Sequence, residues 1–156
     1  MKKWENTIIE YKKRCNIIMS FSKSIRYVGV MNEYGKTLSG ILKSGIRPLF
    51  SKKYTRDEFF AISSFMKLRD KSALSIGELN YVMLNHQKII SLIFQHRKII
   101  YYVTFEKKSI PTELLIRKIK KVIMQECIQH NLLFVVPFHL KSQVQKVKLS
   151  NHQDPL

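Results

Sequence analysis

The sequence predicts an α/β (α+β) domain with the element order α-β-β-α-β-β-β-α. An apolar stretch broken by a glycine-bearing turn, 25–42, is typical of a β-hairpin. Three further runs rich in Ile, Val, Tyr and Phe are joined by short polar turns, which indicates an antiparallel meander. Two of these runs are almost continuously apolar, so helices should cover both faces of a five-stranded, mainly antiparallel sheet.

The first helix is predicted over Lys2–Ser20 from an apolar stripe at steps of three and four residues. The stripe consists of Trp4, Ile8, Tyr11, Cys15 and Ile18. Basic residues fall largely outside it, and two interpretations fit this pattern. The helix either packs on a core or attaches to an anionic membrane surface. The sheet that follows needs cover, which favours core packing.

The hairpin is followed by a crossing loop, 43–53, and a second helix, 55–71. Gly29 and Gly40, inside the two hairpin strands, indicate a bulge or the close approach of another backbone. Thr55 and Glu58 have the spacing of a capping box at the start of the second helix. This helix carries many apolar side chains, which could pack on the sheet or form a subunit interface. They are Phe59, Phe60, Ile62, Phe65 and Met66.

The remaining elements are three strands and a helix. The strands are predicted at 80–84, 88–95 and 99–105, and the helix at 112–130 after Pro111. We therefore expect one domain over 1–130 and a C-terminal extension over 131–156. No apolar run approaches the roughly 20 residues that span a bilayer, and the N-terminus lacks the apolar core of a signal peptide. The two distant cysteines fit a reducing cytoplasm.

The net charge of +17, from 28 Lys and Arg against 11 Asp and Glu, indicates a partner with negative charge such as nucleic acid. A basic composition spread over a solvated surface explains the same number. Lysine outnumbers arginine, although the planar guanidinium group of arginine is better suited to paired hydrogen bonds with phosphates and bases. The excess of lysine therefore weakens the nucleic-acid interpretation. The candidate surface for an anionic partner consists of Lys12, Lys13, Arg14, Lys52, Lys53, Arg117, Lys118, Lys120 and Lys121.

The residues carry no motif for catalysis, metal binding or a cofactor, so we predict that the protein is not an enzyme. Gly35-Lys36-Thr37 resembles the end of a phosphate-binding loop, but Val30 stands where the first glycine belongs. The five histidines lack metal-ligand spacing, and the acids are scattered. Cys15 and Cys127 lie on apolar helix stripes, where burial dulls thiol reactivity.

In element order, residues 2–130 resemble the roadblock (dynein light-chain-like) fold, a relative of profilin-like α/β sheets. In residue terms the chain is similar to an archaeal roadblock-like family of unknown function. The similarity rests on Ile25–Val30, Gly35-Lys36, Gly40, Gly45–Leu49, Met66, Arg69, and Gly77 ahead of Tyr81. The family usually carries a Gly-Gly pair in the second strand, whereas Ile41 follows Gly40 here.

The resemblance implies a non-enzymatic interaction module. Roadblock-like proteins typically dimerise edge to edge through the third strand and the central helix, and serve as platforms for small GTPases, motors or signalling assemblies. The implied partners are a second copy and an unidentified protein, with a small GTPase as one candidate. A basic nucleic-acid-binding protein is the alternative function. The expected dimer interface consists of Phe59, Phe65, Met66, Tyr81 and Met83.

Overall fold

The computed structural model describes residues 2–125 of the chain. Three helices and five strands follow the predicted order. Their bounds are α1 Lys2–Ser20, β1 Ile25–Asn32, β2 Thr37–Leu42, α2 Lys52–Ile76, β3 Val82–Asn85, β4 Ile89–His96, β5 Ile99–Glu106 and α3 Glu113–Met124. The predicted end of the last helix, Cys127 and the extension 131–156 lie outside the described residues.

The five strands form one antiparallel sheet in the order β2-β1-β5-β4-β3. Because β2 and β3 lie at opposite edges, the chain crosses the sheet between them, and α2 makes this crossing on one face. A helix rises about 1.5 Å per residue, so α2 is long enough to cross several strands spaced about 4.8 Å apart. Among residues 2–125, β2 and β3 are therefore the two edge strands of the sheet.

Two apolar cores fill the space between the sheet and its helices. The larger core packs α1 and α3 against one face, with Cys15, Ile18 and Ile119 among its fully buried residues. The smaller core packs α2 against the other face through Phe59, Ile62 and Met66, which meet partners such as Tyr102. The predicted cover on both faces is thus confirmed, and it explains why β4 and β5 are apolar on both sides. In the α1 stripe Tyr11, Cys15 and Ile18 are buried, Ile8 is half-buried and Trp4 is exposed.

The predicted start of the second helix is wrong. The N-cap is Ser51, whose hydroxyl accepts a hydrogen bond from the Tyr54 N–H, and the helix begins at Lys52. Thr55 lies inside the first turn, where its hydroxyl donates to the Ser51 carbonyl oxygen. The helix also continues past 71 to Ile76, where the N–H of Gly77 caps the Ala73 carbonyl oxygen. Cap geometry therefore overrides the capping-box spacing.

The two glycines of the hairpin strands pair with each other, and this corrects the expected role of both. Gly29 lies opposite Gly40 in regular register, and the irregularity falls between Val30 and Met31. What approaches the glycines is the Tyr27 side chain: a Cβ added at Gly29 or Gly40 would lie 2.7 or 2.6 Å from Tyr27 atoms. The space above this glycine pair is filled by a ring, not by a backbone.

Candidate interaction surface

Strand β3 forms an edge of the sheet and pairs only with β4 among residues 2–125. In the turn between these strands, the His86 N–H donates to the Ile89 carbonyl oxygen at 2.9 Å, so this is a hydrogen-bonded pair. Hydrogen-bonded and non-hydrogen-bonded pairs alternate along antiparallel strands, and the backbone groups of Met83 and Asn85 therefore point away from β4. The outer side of β3 presents the donors and acceptors that another strand requires.

Helix α2 carries exposed apolar side chains on the flank nearest this edge. Its opposite flank faces the β1–β2 hairpin, because the Lys67 ammonium lies 4.4 Å from the centre of the Tyr34 ring. With about 3.6 residues per turn, Phe65 and Ile76 lie on the flank away from the hairpin, on the side of β3, and Leu68 lies next to them on the outward face of the helix. The side chains of Phe65, Leu68 and Ile76 are 43%, 54% and 75% exposed, respectively. They form an apolar strip beside β3, an edge strand among residues 2–125.

Two residues of the expected dimer interface lie beneath α2. Phe59 and Met66 are buried against the sheet, and the Phe59 ring meets the Tyr102 ring edge to face with 5.4 Å between centroids. These side chains hold α2 on its own sheet. Phe65 is the member of the α2 set that faces outward. The proposed interaction surface therefore includes Phe65 and excludes Phe59 and Met66.

The other two expected interface residues lie on the opposite face of the sheet. Tyr81 packs in the larger core, with its ring 6.1 Å from the Phe94 ring. Strand alternation places Met83 on the same face as Tyr81, because Val82 and Leu84 pack into the smaller core beneath α2. Met83 and Phe65 are thus separated by the sheet, and only the backbone of β3 joins the two sides.

Leu68 and Ile76 were not among the expected interface residues. Leu68 follows Phe65 by three residues, and this spacing was readable in the sequence. Ile76 was missed because the predicted helix ended five residues earlier, and Gly77 was the available stop signal. The sequence did not show which of these α2 side chains are exposed, because apolar residues occur all around the first half of the helix.

A roadblock/LC7 domain from Streptomyces avermitilis is similar in structure, with a TM-score of 0.58 over 78% of this chain and 97% of that chain at 7% identity. Myxococcus xanthus MglB gives a TM-score of 0.60 over 84% of this chain and 94% of its own at 13% identity. The chain has the roadblock/LC7 fold. A profilin from Schizosaccharomyces pombe is also similar, with a TM-score of 0.52 over 76% of this chain and 97% of the profilin at 11% identity.

Identities this low establish the fold alone. No protein-family model matches the sequence, and no curated protein matches it either. The resemblance to roadblock and profilin-like sheets is confirmed, whereas the archaeal affiliation stays a prediction.

The basic residues expected to meet an anionic partner are divided between the two faces of the roadblock sheet. Those on α1 and α3 lie on one face, and Lys52 and Lys53, on α2, lie on the other. Several already have partners: Lys13 binds Glu10 at 2.7 Å, Arg117 binds Glu113 at 3.2 Å, and Lys120 donates to the Asn80 side-chain oxygen at 2.7 Å. Lys12, Lys118 and Lys121 are exposed, and Arg14 is half-buried. The nine residues do not form one surface.

The Cys15 thiol lies buried in the larger core of this roadblock fold. Burial raises the pKa of the Cys15 thiol to about 11, and the hydrogen bond with Ser39 offsets only part of that rise. A thiol held protonated in a core is a poor nucleophile. Among residues 2–125, no group of three His, Cys, Asp or Glu side chains could hold a metal ion. Within the same range no helix is long and apolar enough to cross a membrane.

Proposed function

We propose that this chain is a non-enzymatic protein-interaction module that forms a homodimer and scaffolds or regulates a second protein. The observation that carries the proposal is the outward-facing edge of β3 beside the exposed apolar strip of α2. Pairing of β3 with the same strand of a second copy would join two sheets into one around a two-fold axis. Such an interface would also cover Phe65 and Leu68, and apolar and aromatic side chains are enriched in interface cores.

The roadblock fold and its family resemblance support the same proposal from another direction. A second protein is the expected partner of such a dimer, and a small GTPase is the candidate that the resemblance implies. We expect the module to act in the cytoplasm, which its two distant cysteines and the buried Cys15 thiol fit.

Strand pairing is tested by replacing the residue whose N–H points outward. In Met83→Pro the donor toward a second copy is lost, while the hydrogen bonds of β3 to β4 are kept. Sedimentation equilibrium at low micromolar concentration should show a dimer for the wild type and a monomer for this variant. Met83→Ala is the control, because it removes the side chain and keeps the N–H. A monomeric wild type, or a dimer that tolerates proline, contradicts the proposed edge pairing.

The apolar strip is tested separately. Phe65→Asp places a charge at the centre of the strip and should also produce a monomer. Leu114→Asp is the matched control, since Leu114 is an exposed apolar residue on α3, on the other face of the sheet. Thermal unfolding of both variants checks that each is folded. Equal effects of the two aspartates on the dimer would show that the strip has no special role.

The interaction role is tested by affinity capture from a native lysate with and without nuclease. A protein that stays bound after nuclease treatment supports the module, and its loss with Met83→Pro would show that the partner needs the dimer. Material that disappears with nuclease indicates nucleic-acid carry-over and contradicts the proposal.

A further inference from the structure

A small apolar cavity lies on the α2 face of the sheet, under the loop that follows β2. Its volume is about 130 Å³. The floor includes an aromatic cluster in which the rings of Tyr27, Phe59 and Tyr102 lie 5.4 to 6.5 Å apart. Leu49 and Phe50 cover it from the loop, and both remain partly exposed. The cavity is therefore a preformed apolar recess that opens to solvent.

The cavity continues into a wider groove between the β1–β2 hairpin and the first turns of α2. Pro48, Phe50 and Thr55 line both spaces, and the groove adds about 740 Å³. Its walls carry Tyr34 and Phe60, each 66% exposed. Large exposed aromatic side chains beside a recess are typical of sites that bind another molecule. We call this groove, with the adjoining cavity, the basic groove because of the charges described next.

Five cationic side chains line the basic groove and no carboxylate does: Arg26, Lys36, Arg47, Lys52 and Arg56. Within residues 2–125 the side chains of these five form no ion pair and no hydrogen bond. Elsewhere in residues 2–125, on either face of the sheet, cations such as Lys13, Lys98 and Arg117 each lie within 3.2 Å of a glutamate. The lining of the groove is thus cationic, although burial and the nearby Glu58 carboxylate both raise the pKa of Tyr102, and this excess of positive charge favours an anionic occupant.

The cavity is too small for a typical cofactor. Pockets for drug-sized ligands hold roughly 300–1,000 Å³. An apolar protein cavity of about 150 Å³ takes a single benzene ring. A recess of about 130 Å³ thus matches one aromatic or branched aliphatic side chain, with the chain that carries it lying in the open groove.

We propose that the basic groove binds an acidic peptide segment of a partner protein, with one apolar side chain anchored in the cavity. The acidic residues on either side of the anchor would meet Arg26 and Arg47 at the cavity and Lys36, Lys52 and Arg56 along the groove. This inference names the chemistry of the partner, so it rests on the proposed interaction function. It does not rest on the homodimer, because the groove is on the hairpin side of α2 and Phe65 is on the other.

Single-stranded nucleic acid is the competing occupant, since basic grooves with exposed aromatic rings also bind stacked bases. The cavity argues against it. Its accessible wall is mainly apolar, although Arg26 and Arg47 also line it, and a base pushed into it would replace few of the hydrogen bonds that its polar edge makes with water. A phenylalanine or leucine side chain has no such cost.

The experiment titrates the full chain with three synthetic heptapeptides, followed by NMR chemical shifts and fluorescence anisotropy. One peptide has phenylalanine at its centre and Asp or Glu elsewhere, the second replaces the phenylalanine with alanine, and the third has lysines around the phenylalanine. The first should bind about tenfold more tightly than the second, and the third should not bind. Equal affinity for the first two peptides overturns the anchored mode.

Matched variants locate the site. Arg47→Glu, in the groove, should weaken binding of the first peptide about three- to tenfold. Lys118→Glu makes the same charge change on the opposite face, where the side chain is also exposed and unpaired within residues 2–125, and should leave the affinity unchanged. Equal losses would mean attraction to overall charge and overturn the proposal. So would tighter, Arg47-dependent binding of a ten-nucleotide oligothymidylate.

Peptide binding by the Met83→Pro variant tests whether the basic groove works independently of the proposed homodimer. The groove lies away from β3, so this variant should bind the first peptide as the wild type does. Loss of binding in a folded Met83→Pro monomer would place the site at the dimer interface and overturn the groove assignment.

Discussion

The Tyr27 hydroxyl lies over Gly40, so close that a Cβ atom at Gly40 would be 2.6 Å from the oxygen. Gly40 pairs with Gly29 across β1 and β2, and the two glycines together leave a slot in the sheet surface. The Tyr27 ring lies in this slot, with the rings of Phe59 and Tyr102 at 6.5 and 6.4 Å. Glycine at both positions therefore lets an aromatic side chain lie across the sheet and seal the smaller core.

Gly40→Ala should destabilise the protein by about 1–3 kcal/mol, because the new methyl group overpacks the slot. The contact is mainly with the hydroxyl oxygen, since the next ring atom is 3.2 Å from the Cβ position. Tyr27→Phe removes that oxygen and should restore much of the loss in the double variant. Urea unfolding of the two single variants and the double variant measures this coupling.

Gly29→Ala is the control for this cycle. A Cβ at Gly29 would meet a ring carbon of Tyr27 at 2.7 Å as well as the hydroxyl. Tyr27→Phe should therefore rescue Gly29→Ala less than it rescues Gly40→Ala. Equal rescue at both positions, or none at either, would show that the ring moves aside freely.

A comparison of alanine substitutions at Gly35 and Gly45 distinguishes the cost of backbone strain from the cost of a steric clash. Both have left-handed φ values, 77° and 78°, where a side chain costs about 1–2 kcal/mol. A Cβ at Gly35 would also lie 2.7 Å from the Phe59 carbonyl oxygen, whereas one at Gly45 would meet nothing within 4 Å. Gly35→Ala should thus cost at least about 1 kcal/mol more than Gly45→Ala in urea unfolding. Similar losses for the two variants would mean that the hairpin does not dock on α2.

The element order was predictable because each strand and helix carries its own period and its own stop signals. The end of α1, the outer bounds of the hairpin and β5 fall within one residue of their predicted bounds. The start of α2 was not predictable from spacing, because both Ser51 and Thr55 are acceptable caps and tertiary packing chooses between them. Helix and strand identity is a local property, whereas the choice of cap is not.

The candidate interaction surface on α2 and β3 was only partly predictable, because it too depends on tertiary packing. Phe59, Phe60 and Phe65 are equally apolar in sequence, yet Phe59 is buried and the other two are exposed. Their separation depends on where the β1–β2 hairpin and β3 lie relative to α2, which is a contact between distant segments. The basic groove has the same origin, since its lining comes from β1, β2, the loop after it and α2.

Ser51→Ala should destabilise the protein by about 1 kcal/mol, because the Tyr54 N–H loses its acceptor at the start of α2. Thr55→Ala and Glu58→Gln should each change stability by less than half of this amount. Thr55 lies within the helix, where alanine is the better helix former. Thermal unfolding of the three variants decides between the caps. A larger loss at Thr55 than at Ser51 would restore the capping-box assignment.

Stability should fall as the pH rises above 9, because the Cys15 thiol keeps its proton longer in the folded chain than in the unfolded chain. Its pKa is about 11 in the fold against an ordinary 9.0. Between these values the unfolded chain binds fewer protons, so unfolding releases a proton and the free energy of unfolding decreases with pH. The decrease approaches about 1.4 kcal/mol per pH unit inside this window. Well below pH 9, where the thiol keeps its proton in both states, it should contribute almost no pH dependence.

Urea unfolding at steps from about pH 8 to 10 measures this slope and stays below most of the Tyr27 titration, since burial raises the pKa of Tyr27 to about 12 from an ordinary 10.0. Cys15→Ala is the informative variant. It should be less stable at every pH, because it leaves a gap in the larger core, but its stability should change less between pH 9 and 10. An unchanged slope in Cys15→Ala would assign the alkaline loss to other groups and contradict a buried, protonated thiol.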